Sequence, residues 1–207
     1  MEAILDIYKR PYSPINPVLC FDESSKQQIQ NLVDAVPMKP GSVMKIDSEY
    51  ERNGVSNLFM TFEPLQGKRF VKVTERRTKI DWAECMKWIV DELYPGATKI
   101  TVVMDNLNTH TPASLYACFD PMTAKRIADK LDIQYTPKHG SWLNMAEIEF
   151  SALSRQCLNR RIGSREELIK EIAAWERARN EEKIGCNWQF TLDDARVKLK
   201  KLYPTIS

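Results

Sequence analysis

Two short segments that are apolar at every position, each followed at once by an aspartate, most constrain the fold of this chain. The first is Val18 to Phe21, which ends at Asp22, and the second is Ile100 to Met104, which ends at Asp105. Such a run is typical of a strand buried on both faces, as in the parallel part of an α/β sheet. Ligands bind at the carboxyl ends of such strands, where side chains first leave the core. We therefore expect the two aspartates to converge if these strands are parallel neighbours.

The rest of the pattern predicts a mixed sheet with helices packed on its faces. Asn53-Gly54 favours a tight turn between two antiparallel strands, Val43 to Tyr50 and Val55 to Phe62. A third strand is expected at Phe70 to Thr74. A further strand is expected at Asp132 to Thr136. In chain order, helices are expected at Ile80 to Leu93, at Asp120 to Lys130, from Ser141 onward, at Arg165 to Glu182 and at Leu192 to Leu202.

Length and composition suit one globular domain, or one domain with helical additions, and the pattern of elements makes it an α/β domain with additional C-terminal helices. We interpret residues 1–17 as a short helix and a proline-rich linker, and residues 18–207 as the domain itself. No segment approaches the roughly 20 apolar residues that span a bilayer, and the N-terminus lacks the apolar stretch of a secretory signal. The five cysteines are odd in number, widely spaced and without a CxxC pair, which argues against disulfides or a structural zinc site. A cytoplasmic protein is expected.

Two convergent carboxylates have a chemical consequence, because their charges repel each other. A divalent cation offsets that repulsion, and Mg²⁺ typically takes one or two protein carboxylates together with substrate phosphate. A third carboxylate on a facing helix would complete a two-metal site for in-line displacement at phosphorus. The alternative is that Asp22 and Asp105 simply begin turns, as aspartate often does. The two strands alone do not decide between these interpretations.

Two longer motifs favour the metal site. Met104 to His110 reads MDNLNTH and Tyr135 to Glu147 reads YTPKHGSWLNMAE. Both closely resemble bacterial transposases of the insertion sequence 630 family, which are relatives of the mariner superfamily. The resemblance implies an RNase H-like mixed sheet flanked by helices, with an Asp-Asp-Glu metal triad. It extends to Val18 to Glu23, Tyr50 to Pro64, Val71 to Thr78 and Phe150 to Arg160.

The same resemblance assigns the catalytic, metal-binding acids to Asp22, Asp105 and Glu147. Glu149 is a rival for the third position, because the two glutamates flank the apolar stripe from Leu143 to Cys157 on opposite sides. The family's Leu-Asn-x-x-Glu pattern selects Glu147 and leaves Glu149 a surface or supporting role. The expected cofactor is Mg²⁺ or Mn²⁺, bound as two ions.

Several polar residues in these motifs are candidates for supporting the acids. Asn106 and Asn144 are expected to orient the neighbouring carboxylates, as outer partners of metal ligands do. His110 and His139 would either contact a scissile phosphate or serve the fold. The weaker candidates for metal contact are Glu23 and Asp47.

Basic residues suggest a path for DNA. The segment from Lys68 to Lys79 holds six basic residues and one acid, which is typical either of a solvated face or of a surface that tracks phosphates. Trp142 would stack on an unpaired base or merely cover the sheet. The candidate DNA contacts are Lys72, Arg76, Arg77, Lys138, Trp142, Arg155, Arg160 and Arg161.

The function that the resemblance implies is cut-and-paste DNA transposition into TA-containing targets, by a nucleoid-associated homodimer that binds element ends and target DNA. No GxxxxGK[ST] loop is present, so ATP is not implied. Two alternatives are a transposase-derived, non-catalytic DNA-binding or regulatory protein and a cellular RNase H-like nuclease. Family members carry an N-terminal helix-turn-helix region, so this chain is expected to be an expressed catalytic domain or to act with a separate helix-turn-helix product.

Overall fold

The computed structural model describes residues 1–33, 36–43, 48–138 and 140–200. Within these residues five strands form one mixed sheet: β1 (Val18–Asn31), β2 (Tyr50–Glu63), β3 (Lys68–Thr74), β4 (Ile100–Met104) and β5 (Leu131–Tyr135). Their order in the sheet is β3-β2-β1-β4-β5. β1, β2 and β3 are antiparallel neighbours, whereas β4 and β5 run parallel to β1. The predicted mixed sheet is confirmed.

Parallel pairing of β1 with β4 places the two aspartates side by side. Cys20 pairs with Val103, so positions 22 and 105 are level when the register is continued by two residues. The side chains of Leu19 and Phe21 enter the core on one face of the sheet, and that of Cys20 enters the core on the other. Both faces of β1 are therefore buried, which explains why the strand begins apolar at every position.

Helices cover both faces of the sheet. The helices that end at Trp88 and at Leu153 continue into π-helical turns at Ile89–Leu93 and Ser154–Leu158. No helix in the described residues is long and apolar enough to cross a membrane. All five cysteines are free, as expected. One face carries α1 (Glu2–Tyr8), α5 (Ala146–Leu153), α6 (Arg165–Glu181) and α7 (Leu192–Lys198), and the other carries α2 (Lys79–Trp88), α3 (Pro112–Cys118) and α4 (Pro121–Lys130).

The hairpin turn expected at Asn53-Gly54 is wrong, because both residues lie inside β2. β1 continues beyond its apolar start through polar residues to Asn31, and it pairs with β2 along this length. Asn53 and Gly54 together oppose the single residue Gln28, which is the geometry of a β-bulge. Gly54 adopts a φ of +93°, so its conformational freedom serves the bulge rather than a turn. Residues 44–47 of the other expected strand lie outside the described residues.

Side chains of α6 cover the outer edge of β3. The side chain of Asn180 accepts from the Arg69 N–H and donates to the Arg69 carbonyl, both at 2.8 Å. Glu176 accepts from the Val71 N–H, also at 2.8 Å. An edge strand without such partners exposes its backbone groups. α6 therefore covers this edge of the sheet at Arg69 and Val71 as well as packing on its face.

Candidate active site

The three acids predicted from sequence meet at one end of the sheet. Asp22 lies in β1, Asp105 directly follows the neighbouring strand β4 at the same level, and Glu147 is exposed in the first turn of α5. Burial, together with the charges of Asp105, Glu147 and Glu23, raises the pKa of Asp22 to about 7. The Glu23 N–H opposes this shift by donating to Asp22 Oδ1 at 2.8 Å. The carboxylates are thus close enough for their charges to repel.

These acids do not form a closed cage. Among the residues that the structure describes, no three His, Cys, Asp or Glu side chains are arranged as a complete set of metal ligands. The donors are nevertheless carboxylate oxygens under mutual repulsion, which a hard divalent cation relieves. Because Mg²⁺ usually retains waters and takes substrate phosphate as a ligand, an open set of acids suits a cation that binds together with DNA.

Asn144 connects the backbones that carry the first and third acids. Its side chain is buried, donates to the carbonyl of Phe21 at 2.8 Å and accepts from the N–H of Ala146 at 3.2 Å. Phe21 directly precedes Asp22 in β1, and Ala146 directly precedes Glu147 in α5. A single amide therefore sets the distance between the strand and the helix at this site.

His110 bridges two acids beneath the surface. Its Nδ1 lies 2.7 Å from Asp105 Oδ1 and its Nε2 lies 2.8 Å from Glu23 Oε2, with 1% of the histidine exposed. The ring stacks on Trp82 and meets Phe21 edge-on. Burial alone would lower the pKa of His110, but hydrogen bonding and the charges of Asp105 and Glu23 outweigh it and raise the pKa to about 9. His110 therefore lies buried between two carboxylates that both favour its protonated form.

Other candidate supporting residues differ from expectation. Asn106 is exposed, and its side chain makes no hydrogen bond with the described part of the chain, so the contact that it was expected to make with Asp105 is made by His110. Glu23 is occupied by His110 rather than facing the other acids as a free ligand. His139 and Asp47 lie outside the described residues.

Glu149 points into the core on the sheet-facing side of α5. It is 3% exposed, its Oε2 lies 3.0 Å from Arg69 Nε, and Arg179 meets it with two nitrogens at 2.8 and 3.1 Å. The surface position that the sequence left open for Glu149 is therefore wrong. Its partners come from β3 and α6, and only the assembled fold shows which of Glu147 and Glu149 is turned inward.

Some of the candidate DNA contacts lie at the same end of the sheet as the acids. β3 ends level with Ser25, on the carboxyl side of Asp22, and the basic segment continues from there. Arg76 and Arg77 are exposed, and neither side chain has an ion-pair partner among the described residues. Lys138 is also exposed, in the loop that leads to α5. These three residues remain available to a phosphate backbone.

The remaining basic candidates already contact other parts of the chain. Such contacts fix a side chain but do not prevent it from also approaching DNA. Lys72 lies over the ring of Trp88, Arg155 donates to the carbonyl of Ser151, Arg160 pairs with Glu171, and Arg161 contacts Asn31 and the ring of Tyr50.

Trp142 belongs to an aromatic cluster and lies five residues before Glu147 in the chain. Its ring stacks on Trp188 with centroids 6.2 Å apart and meets Phe190 edge-on at 5.6 Å. Tyr8 of α1 packs on the same Trp188. Trp142 nevertheless stays 39% exposed, so it both packs against the chain and presents surface to solvent.

Comparison with known proteins places these features in a family. The model of a family described as DDE superfamily endonuclease matches residues 17–169, a range that includes Asp22, Asp105 and Glu147. No curated protein matches the chain at a significant level.

Solved structures share the fold. The Mos1 transposase paired-end complex with the left transposon end superposes with a TM-score of 0.59 at 15% identity, covering 88% of this chain and 55% of that one. The Mos1 mariner paired end complex with Mn gives a TM-score of 0.60 at 14% identity, covering 99% and 61%. The expected RNase H-like mixed sheet flanked by helices is thereby confirmed. The chain spans little more than half the length of these solved chains.

Proposed function

This chain belongs to the DDE superfamily endonuclease family, and we propose that it is the catalytic domain of a DNA transposase of the insertion sequence 630 type. The observation that carries the proposal is the convergence of Asp22, Asp105 and Glu147, seen in the level register of β1 and β4 and in the raised pKa of Asp22. The fold shared with transposase–DNA complexes supports it. Residues 18–207 are proposed as the catalytic unit, with residues 1–17 as its leading segment.

In this proposal Asp22, Asp105 and Glu147 bind Mg²⁺ or Mn²⁺, as two ions. Bound cations lower the pKa of the attacking hydroxyl and stabilise charge at phosphorus. Asn144 holds the strand of the first acid against the helix of the third, and His110 holds Asp105 in place. Water first hydrolyses a phosphodiester at the element end, and the freed 3′-hydroxyl then displaces a phosphodiester oxygen in TA-containing target DNA.

Replacing Glu147 with Gln tests the proposal directly. The substitution keeps the size of an exposed side chain but removes one metal-binding charge, so we expect loss of cleavage at unchanged stability. The assay is nicking of supercoiled plasmid by the purified chain with Mg²⁺ or Mn²⁺, and joining of a 3′-hydroxyl oligonucleotide to that plasmid.

The matched control is Glu166→Gln, which removes an exposed first-turn acid from a different helix, α6. It should retain both activities. Nicking without joining would identify a cellular nuclease of the same fold, and neither reaction in the wild-type chain would identify a non-catalytic DNA-binding protein. Equal activity in Glu147→Gln and wild type would remove Glu147 from the triad.

DNA binding by this chain should depend on salt far more than on sequence, because phosphate contacts dominate and carry no base information. We expect Arg76→Ala to weaken binding alike on all duplexes and to flatten the plot of log affinity against log salt by about one unit. Arg126→Ala is the control, since Arg126 is an exposed arginine on α4 whose side chain pairs with Asp91. The measurement is a salt titration of binding to element-end and random duplexes.

A preference for the element end that survives high salt would contradict this prediction and show that the chain reads bases.

The chain spans only part of the length of its solved relatives. We also propose that it assembles as a homodimer on DNA and that a separate helix-turn-helix product recognises the element ends.

A further inference from the structure

The two carboxylate oxygens of Asp105 have different surroundings. Oδ1 is buried and lies 2.7 Å from His110 Nδ1, whereas the side chain as a whole is 36% exposed. Apart from this ion pair, Oδ1 has no hydrogen-bond partner among the described residues. The exposure of the side chain therefore lies on its other atoms, and Oδ2 is the oxygen left for a ligand.

Glu23 holds the opposite side of the same histidine. Glu23 Oε2 lies 2.8 Å from His110 Nε2, its side chain is only 6% exposed, and that oxygen has no hydrogen-bond partner in the described part of the chain apart from this ion pair. Trp82 and Phe21 pack against the ring at centroid distances of 5.9 and 6.0 Å. The ring cannot turn away from Asp105 without leaving a buried carboxylate unpaired, which is costly.

We propose that Glu23 and His110 form a positioning pair that restricts Asp105 to coordination through one oxygen, an inference that rests on the proposed function. Mg²⁺ requires near-octahedral geometry, whereas Ca²⁺ accepts more oxygen ligands, including carboxylates that bind through both oxygens. Because Oδ1 is buried and held against His110, an ion approaching from solvent meets Asp105 at Oδ2 alone. The pair therefore favours small octahedral cations over Ca²⁺ without touching the cation itself.

The test compares the affinities for Mn²⁺ and for Ca²⁺, each titrated separately by calorimetry with and without a short DNA duplex. His110→Phe keeps an aromatic ring packed against Trp82 and Phe21 but removes both ring nitrogens. We expect its Mn²⁺ affinity to fall by about tenfold or more, the usual effect of losing an outer partner of a metal ligand. Its Ca²⁺ affinity should fall less, so that the ratio of the two affinities shifts toward Ca²⁺.

Glu23→Gln and the double variant Glu23→Gln/His110→Phe show whether Glu23 positions Asp105 by way of His110. Because Glu23 holds Asp105 only through His110, and because its charge acts on both divalent cations alike, the double variant should match His110→Phe in its affinity ratio. A further shift of that ratio in the double variant would overturn the pairing. The double variant also carries the test if His110→Phe alone fails to fold, since it leaves no buried unpaired carboxylate at Glu23.

Glu63→Gln separates positioning from general stability. Glu63 is 3% exposed and accepts a hydrogen bond from Tyr94 at 2.9 Å, away from the acids. It should change thermal stability without changing the ratio of Mn²⁺ to Ca²⁺ affinity. An unchanged ratio in His110→Phe would overturn the positioning pair alone, whereas a wild-type chain that binds no Mn²⁺ even with DNA would overturn the proposed function itself.

Discussion

Replacing Asp105 with Asn is expected to abolish metal-dependent DNA cleavage while leaving the fold in place. Asn keeps the shape of the side chain but loses the charge that, with Asp22 and Glu147, would hold the cations. Metal stabilisation of charge at phosphorus is worth several kcal/mol, and each ~1.4 kcal/mol changes a rate tenfold. We therefore expect a loss of about a thousandfold or more in the initial rate of plasmid nicking, with Mg²⁺ and with Mn²⁺ alike.

The melting temperature of the same variant separates lost chemistry from lost fold. Asp105→Asn relieves the repulsion that helps to raise the pKa of Asp22, but it removes one of the two anions that pair with buried His110. These effects oppose each other, so the melting temperature without metal should stay within about 4 °C of wild type. Cleavage at the wild-type rate would show that Asp105 is not part of the catalytic triad.

Replacing Glu149 with Gln is expected to destabilise the protein severely, although Glu149 lies only two residues from Glu147. The change leaves Arg69, whose side chain is fully buried, and Arg179 without their shared anion. Removing one partner of a buried ion pair costs about 3–5 kcal/mol, which lowers the melting temperature of a chain of this size by roughly 6–20 °C. The free energy of unfolding is measured by urea unfolding and the melting temperature by heating, both followed by circular dichroism.

The pair Glu147→Gln and Glu149→Gln is matched, because both remove one glutamate charge from the same helix. We expect opposite outcomes: the first loses cleavage and keeps its urea midpoint, and the second loses stability but cleaves normally in its folded fraction. A wild-type midpoint for Glu149→Gln would show that its ion pairs add no net stability. Loss of cleavage in Glu149→Gln alone would assign the third acid to Glu149.

Local sequence patterns predicted the parts of the fold that depend on burial. The apolar runs before Asp22 and Asp105 predicted two strands buried on both faces, because only a strand covered on both faces is apolar throughout. They did not show that the two strands are parallel neighbours. The stripe from Leu143 to Cys157 predicted the helical segment that carries Glu147, and this face is buried. In each case the signal came from residues adjacent in the chain or within a few helical turns.

Features that depend on long-range pairing were not predictable in the same way. Gly54 favoured a hairpin turn, because the sequence does not show that β1 continues through polar residues to pair with it. The inward position of Glu149 depends on Arg69 and Arg179, which lie far from it in sequence. The contact between His110 and Glu23 likewise joins residues from two separate motifs.

The side chains of α6 that bond the outer edge of β3 also limit how copies of this chain can associate. A free edge lets a neighbouring molecule continue the hydrogen-bond ladder, the route to strand exchange and fibril growth. Arg69 offers neither its N–H nor its carbonyl, and Val71 does not offer its N–H, because Asn180 and Glu176 already occupy them. If two copies assemble on DNA as proposed, we therefore expect them to meet through side-chain surfaces or through the nucleic acid, and not by joining their sheets at Arg69 and Val71 of β3.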